Sequence, residues 1–244
     1  MFHRFANPAR FSRIASAVLP WSAAITVILF AAGIWFALFA SPADYQQGQT
    51  VRIMYVHVPS AWMAMACYTF IAVMSVIALV WKHPLADIAA KAAAPLGAAF
   101  TIIVLVTGSL WGKPTWGTWW VWDARLTSVL VLFFLYLGHI ALTHAFDNPQ
   151  RGARAAAVLA LVGFVNIPII KFSVDWWNTL HQPASLTRLD TPAIDSSMLT
   201  PLLLMAFAFM LYFVTMLLVR MRADLNAART RALRLSAAER ATAS

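Results

Sequence analysis

Residues 18–40 read VLPWSAAITVILFAAGIWFALFA, a run without one charged side chain. Wound as an α-helix it crosses a bilayer, whose hydrocarbon of about 30 Å takes about 20 apolar residues at 1.5 Å each. Arg4, Arg10 and Arg13 precede the run and Ser41-Pro42-Ala43 follows it, the outline of a secretory signal with a small-residue cleavage site. The run is too long for a signal, whose apolar region covers about 7–15 residues, so an uncleaved first span is expected.

Similar runs recur outward from it, placing further spans near 60–81, 92–110, 126–146, 153–172 and 198–219. The whole chain agrees: 61% of its 244 residues are hydrophobic, 11% are charged and the mean hydropathy is +0.73. That leaves too little polar surface to coat a soluble core. The expected fold class is an all-α polytopic membrane protein with six transmembrane helices, a single domain over residues 1–222 with a basic tail at 223–244. The arginine- and alanine-rich tail has helical propensity, and suits either a solvated tail or a segment lying along an anionic leaflet. Pro95 falls in the first turn of the third predicted span, where a missing N–H is harmless. Pro168 lies inside the fifth and predicts a kink, with Asn166 beside it to re-satisfy a freed backbone group.

Basic residues flanking spans stay on the cytoplasmic side. Arg4, Arg10, Arg13, Lys82, Lys91, Arg151, Arg154 and the arginines from Arg220 to Arg240 share one side. Arg52, Lys113, Arg125 and Arg188, with Lys171 near a span end, fall on the other. Both termini are therefore expected in the cytoplasm, with outward connections at about 41–59, 111–125 and 173–197. The net charge of +9 is explained by this topology rather than by nucleic acid. The single cysteine, Cys67, sits in an apolar run and excludes an internal disulfide or a thiolate cluster.

The second outward connection reads WGKPTWGTWWVWDAR from Trp111 to Arg125, and holds Trp111, Trp116, Trp119, Trp120 and Trp122 of the chain's eleven tryptophans. Gly112, Pro114 and Gly117 supply turn geometry. Asp123 and Arg125 supply charge, pairing either with each other or with a ligand. An interfacial aromatic belt would use tryptophan too, but spread over all span ends. A ligand platform would crowd it, because indole faces are large, rigid and apolar, suited to stacking on a flat aromatic molecule such as haem. Composition alone leaves both open. Arg125, Arg52 and Lys113 are the outward cations available to carboxylates of such a ligand. Trp176 and Trp177 would either extend the platform or anchor the interface. Asp175, Asp190 and Asp195 make the last outward loop acidic, a docking surface or simple solvation.

His57, just before the second predicted span, and His181, just after the fifth, fall on the same expected face as the tryptophans. Two neutral imidazoles are able to ligate haem iron from opposite sides. His139 would lie roughly 20 Å deep in the fourth span, part of a path or a buried imidazole bonded to a neighbouring helix. His3, His83 and His144 carry no assignable role.

The segment WGKPTWGTWWVWDARLTS resembles the tryptophan-rich "WWD" signature of haem-handling proteins. Its position between the third and fourth spans, with RIMYVHVPSAW before the second and VDWWNTLHQPAS after the fifth, is similar to the cytochrome c maturation protein C (CcmC) family. The resemblance implies a non-enzymatic membrane protein of the bacterial inner membrane that holds haem b transiently on a shallow periplasmic shelf. It implies His57 and His181 as the axial iron ligands, with Trp111, Gly112, Trp116, Gly117, Trp119, Trp120, Trp122, Asp123 and Arg125 at the haem. Arg52, Trp176 and Trp177 would support it. The implied partners are the haem chaperone CcmE, the ABC transporter subunits CcmA and CcmB, the small protein CcmD, and lipid. A substrate-translocating permease or haem exporter subunit is the alternative, disfavoured because no carboxylate falls inside a predicted span and no inverted repeat is visible. A quinone-linked oxidoreductase subunit would call for more histidines in facing pairs.

Overall fold

The computed structural model describes residues 7–181 and 194–243; His3, Arg4, Arg188 and Asp190 lie outside the described residues. Seven α-helices form six segments long and apolar enough to cross a membrane. Helix α1 (Pro8–Trp35) opens on Asn7, whose side chain accepts from the backbone N–H groups of Ala9 and Arg10, and closes in a π-helical turn, Phe36–Ala40. A 3₁₀ turn, Gln49–Ile53, leads directly into α2 (Met54–Trp81). Lys82 then adopts a left-handed conformation, φ 50°, and Pro84 takes the first position of α3 (Pro84–Trp116), so α2 and α3 form a tight antiparallel pair. Helix α4 spans Ala124–His144, α5 Pro149–Gly163, α6 Asn166–Trp176 and α7 Ser196–Ala243.

Six spans agree with the sequence reading, but the helices run past the hydropathy windows, because polar end residues continue a helix as readily as apolar ones. The second span begins well before residue 60, and His57 is helical rather than in a loop. The expected connection at 111–125 shrinks to Gly117–Asp123, so Trp111, Gly112 and Trp116 are helical. Pro95 is inside α3 rather than in its first turn. It denies the carbonyl of Lys91 an intrahelical partner, and one residue on, the carbonyl of Ala92 accepts from Arg220 Nε at 3.0 Å. Near Pro168, in the first turn of α6, the helical hydrogen bonding is interrupted at Phe164 and Val165, which keep right-handed helical angles, so α5 and α6 together make one span. Asn166 then donates across to the carbonyl of Ser128 in α4 at 2.8 Å. The longer helices also take in carboxylates outside the predicted spans, Asp87 in α3, Asp175 in α6 and Asp224 and Glu239 in α7.

The basic tail is helical. Helix α7 holds 48 residues, about 72 Å at 1.5 Å each. More than half of that length exceeds a bilayer core, and the segment after Val219 belongs to the same helix as the last span.

Helix α2 sits centrally, packed on α3, α5 and α7, while α1 packs chiefly on α7. Lipid is the expected solvent for the outer faces, where Trp21, Val27, Ile28 and Phe39 are exposed. In the core the Tyr136 hydroxyl donates to the carbonyl of Ala64 at 2.6 Å. Its ring lies against Gly97, where a Cβ would come within 2.2 Å of it. This close approach brings α4 onto the α2–α3 pair and sets the walls of the cleft above it.

Candidate functional site: an indole-walled cleft

Between α2, α3, α4 and α6 a cleft with about 800 Å³ of empty space, solvent-open space included, lies at the end of the bundle that carries the tryptophan segment. It is deeper than a shallow shelf: Leu132, eight residues into α4 and about 12 Å from its start, lines the floor with Ile170. The walls are mostly apolar, from Ala61, Val104, Leu126 and Val129.

His57 and His181 both line this cleft. His57 is in the first turn of α2, and its ring lies against α3 at Gly108, where a Cβ would meet Cε1 at 3.1 Å. Nδ1 is 3.0 Å from the hydroxyl of Thr107. Behind the ring Trp111 stands edge-to-face, centroids 5.6 Å apart, and donates its indole N–H to Gln47 Oε1 at 2.7 Å. The segment before α2 thereby tethers the ring that backs His57. His181 follows α6, its backbone N–H donating to Thr179 Oγ1 at 3.1 Å, and its imidazole lies 4.9 Å from the Trp116 ring. Burial first, and then the Arg125 guanidinium, push its pKa down from 6.5 to about 4. The imidazole is therefore neutral at physiological pH, the protonation state that a metal ligand needs.

Trp116, Trp119 and Trp120 line the cleft with Thr118 and Val121. The turn begins at Gly117, whose φ of 76° caps α3, and ends at Asp123, whose Oδ1 accepts from the Leu126 N–H at 2.7 Å and caps α4. Gly117 and Asp123 thus shape the turn. Trp119 and Trp120, with Leu105 and Ser109, also line a shallow outer groove with Val106, Leu110, Trp122 and Leu130. These first four residues form the partition between cleft and groove.

Arg125 is the cation in the cleft lining. Its Nε donates to Ser173 Oγ at 2.9 Å and Nη2 to the Lys171 carbonyl at 3.3 Å, which orients the guanidinium, and the Asp123 and Asp175 carboxylates lie close enough to attract it. Trp120, which lines the cleft, has its Nε1 buried without a hydrogen-bond partner among the described residues. Such an orphan N–H is costly unless a ligand completes it.

Other predicted residues stand outside the lining. Trp111 is behind His57, and Gly112 is packed against Trp116. Trp122 reaches only the outer groove, edge-to-face on Trp120. Arg52 donates to the Ser41 carbonyl at 3.5 Å, and Lys113 to the Gly117 carbonyl at 2.9 Å. Trp176 and Trp177 are half exposed and contact each other. His139 is buried with Nδ1 unpartnered among the described residues, well below the cleft. Sequence reasoning missed Thr107, Gly108 and Gln47, which carry no motif of their own. Among the described residues no group of three or more His, Cys, Asp or Glu is arranged to hold a bare metal ion. The donor set suits a metal already enclosed in a flat apolar ligand, with anionic edges for Arg125.

A family model described as "Heme exporter protein C" matches residues 1–236. The chain belongs to the CcmC family. It is 59% identical over 235 residues to the heme exporter protein C of Bradyrhizobium diazoefficiens, covering 96% of this chain and 89% of that one. To the heme exporter protein C of Escherichia coli K12 it is 53% identical over 221 residues, 90% and 89% of the two chains. A putative cytochrome c biosynthesis ccmC-like mitochondrial protein of Marchantia polymorpha is 50% identical over 187 residues, 77% and 78% of the two chains. CcmC membership and six apolar helices make this a multi-pass membrane protein with a transport-type role.

Proposed function

We propose that this chain holds haem in the indole-walled cleft on the periplasmic face of the bacterial inner membrane and passes it to the chaperone CcmE during c-type cytochrome biogenesis. Haem is cargo here, and the chain performs no covalent chemistry on it. His57 and His181 ligate the iron, Trp116, Trp119 and Trp120 cover the porphyrin, and Arg125 with the Trp120 N–H receives the propionates. Both termini lie in the cytoplasm. CcmA, CcmB and CcmD are its partners in this reading.

One observation carries the reading: two imidazoles far apart in sequence line one mostly apolar, indole-walled cleft together with an oriented guanidinium. Such a cleft binds a flat apolar body, a metal that accepts two nitrogen donors, and carboxylates at the edge. Only Trp119, Trp120, Leu105 and Ser109 stand between the cleft and the outer groove, so bound haem stays within reach of a recipient, which supplies its own ligand and displaces an imidazole. Replacing either His57 or His181 by alanine is expected to abolish the low-spin bis-histidine spectrum of the purified protein and, with it, loading of the chaperone. Parent-like spectra in both variants would refute the assignment.

A further inference from the structure

The geometry points to Thr107 as the positioning residue that fixes the tautomer of His57 and so decides which ring nitrogen is offered to the iron; this rests on the haem reading above. The Thr107 hydroxyl has one proton and three near neighbours. It lies 2.6 Å from the carbonyl of Ile103, four residues back along α3, 3.4 Å from the carbonyl of Val104 and 3.0 Å from His57 Nδ1. A carbonyl oxygen only accepts, and two oxygens at that separation need a proton between them, so the hydroxyl proton goes to Ile103. Its lone pairs then face His57, and Nδ1 must be the protonated nitrogen.

The consequence falls on the other edge of the ring. With Nδ1 protonated and bonded to Thr107, and the Val104 carbonyl a further acceptor beside the ring, Nε2 of this cleft-lining imidazole is the nitrogen that carries the lone pair. A ligand imidazole whose second nitrogen donates to a fixed acceptor is a stronger donor and does not rotate away. The opposite ligand lacks this support: His181 Nδ1 is buried with no hydrogen-bond partner among the described residues. The pair is therefore asymmetric, one imidazole held at both nitrogens once iron binds, the other held at one.

Thr107→Val keeps the side chain's shape and removes the acceptor, Thr107→Ala removes it with less bulk, and Thr107→Ser keeps it. The full-length variants are loaded with ferric haem, and the midpoint potential and the rate of haem loss to excess apomyoglobin are measured. The valine and alanine variants are expected to show a raised potential, since a weaker donor stabilises ferric iron less. They should also lose ferric haem about 10- to 100-fold faster, the usual range for losing such a support. Serine should restore both. Parent-like potential and retention in valine and alanine, or a serine variant that behaves like valine, would overturn the role of Thr107 while leaving the haem reading standing. A parent chain without a bis-histidine spectrum would sink both.

Discussion

Gly108→Ala adds one methyl group where α3 meets the His57 ring, and the consequence follows from two distances. The new Cβ would stand 3.1 Å from Cε1 and 3.7 Å from Nδ1, whereas relaxed carbon–carbon contacts lie at about 3.5–4.0 Å. The α3 backbone is held against α2 and α4, so the ring must retreat by roughly half an ångström into the cleft. That stretches the bond to Thr107, now 3.0 Å, to about 3.5 Å, the limit of a hydrogen bond. Overpacking of this kind costs about 1–3 kcal/mol. Charged to the ligand geometry, that is about 5- to 150-fold weaker haem retention. The assay follows the Soret band of loaded protein after adding excess apomyoglobin, with membrane level and detergent melting temperature as controls for folding. Parent-like retention in a properly inserted Gly108→Ala protein would refute the contact between α3 and the ligand imidazole.

Gly97→Ala should act on the fold instead: its Cβ would come within 2.2 Å of the Tyr136 ring, and displacing that buried ring costs about 3 kcal/mol, seen as a lower melting temperature of the detergent extract. An unchanged melting curve would contradict the packing of α4 on α3. Trp119→Ala with Trp120→Ala removes the indoles of the partition between cleft and groove, so haem should leave faster from a chain that still inserts; loss of the inserted protein would favour an interfacial belt. Because burial depresses the folded-state pKa of His181 below its unfolded value, the neutral ring and the stability it brings are fully present above about pH 6.5. As pH falls the stability is lost progressively between about 6.5 and about 4, while the folded ring itself protonates only near 4. Haem uptake by the apo-chain should accordingly stay flat from pH 7 to about 5.5, and a midpoint near 6.5 would mean that His181 is solvated.

Much of the fold was legible because its signals are local. Apolar runs set the number of spans, and Asn7, Pro84, Gly117, Asp123 and Asn148 mark helix ends through caps and turns that involve only neighbours in the chain. Hydropathy underestimated helix lengths, since it measures the match to lipid and not the continuity of backbone hydrogen bonds. Pro95 shows the same failing, harmless at a predicted start and interior in fact.

The site divides differently. His57, His181, Trp116, Trp119, Trp120 and Arg125 could be named from residue chemistry and motif, because two imidazoles and a dense indole segment are rare enough to stand out. The roles of their neighbours could not. Whether Trp111 faces the cleft or backs His57 depends on the rotation of α3 about its axis, and a turn of one residue would exchange it for another. Thr107, Gly108 and Gln47 matter only because α2, α3 and the segment before α2 cross where they do. A sequence states what each helix is able to bury and where it ends; side-chain partners across helices follow from crossing angles and axial rotations, which many packed contacts decide together and no single residue encodes.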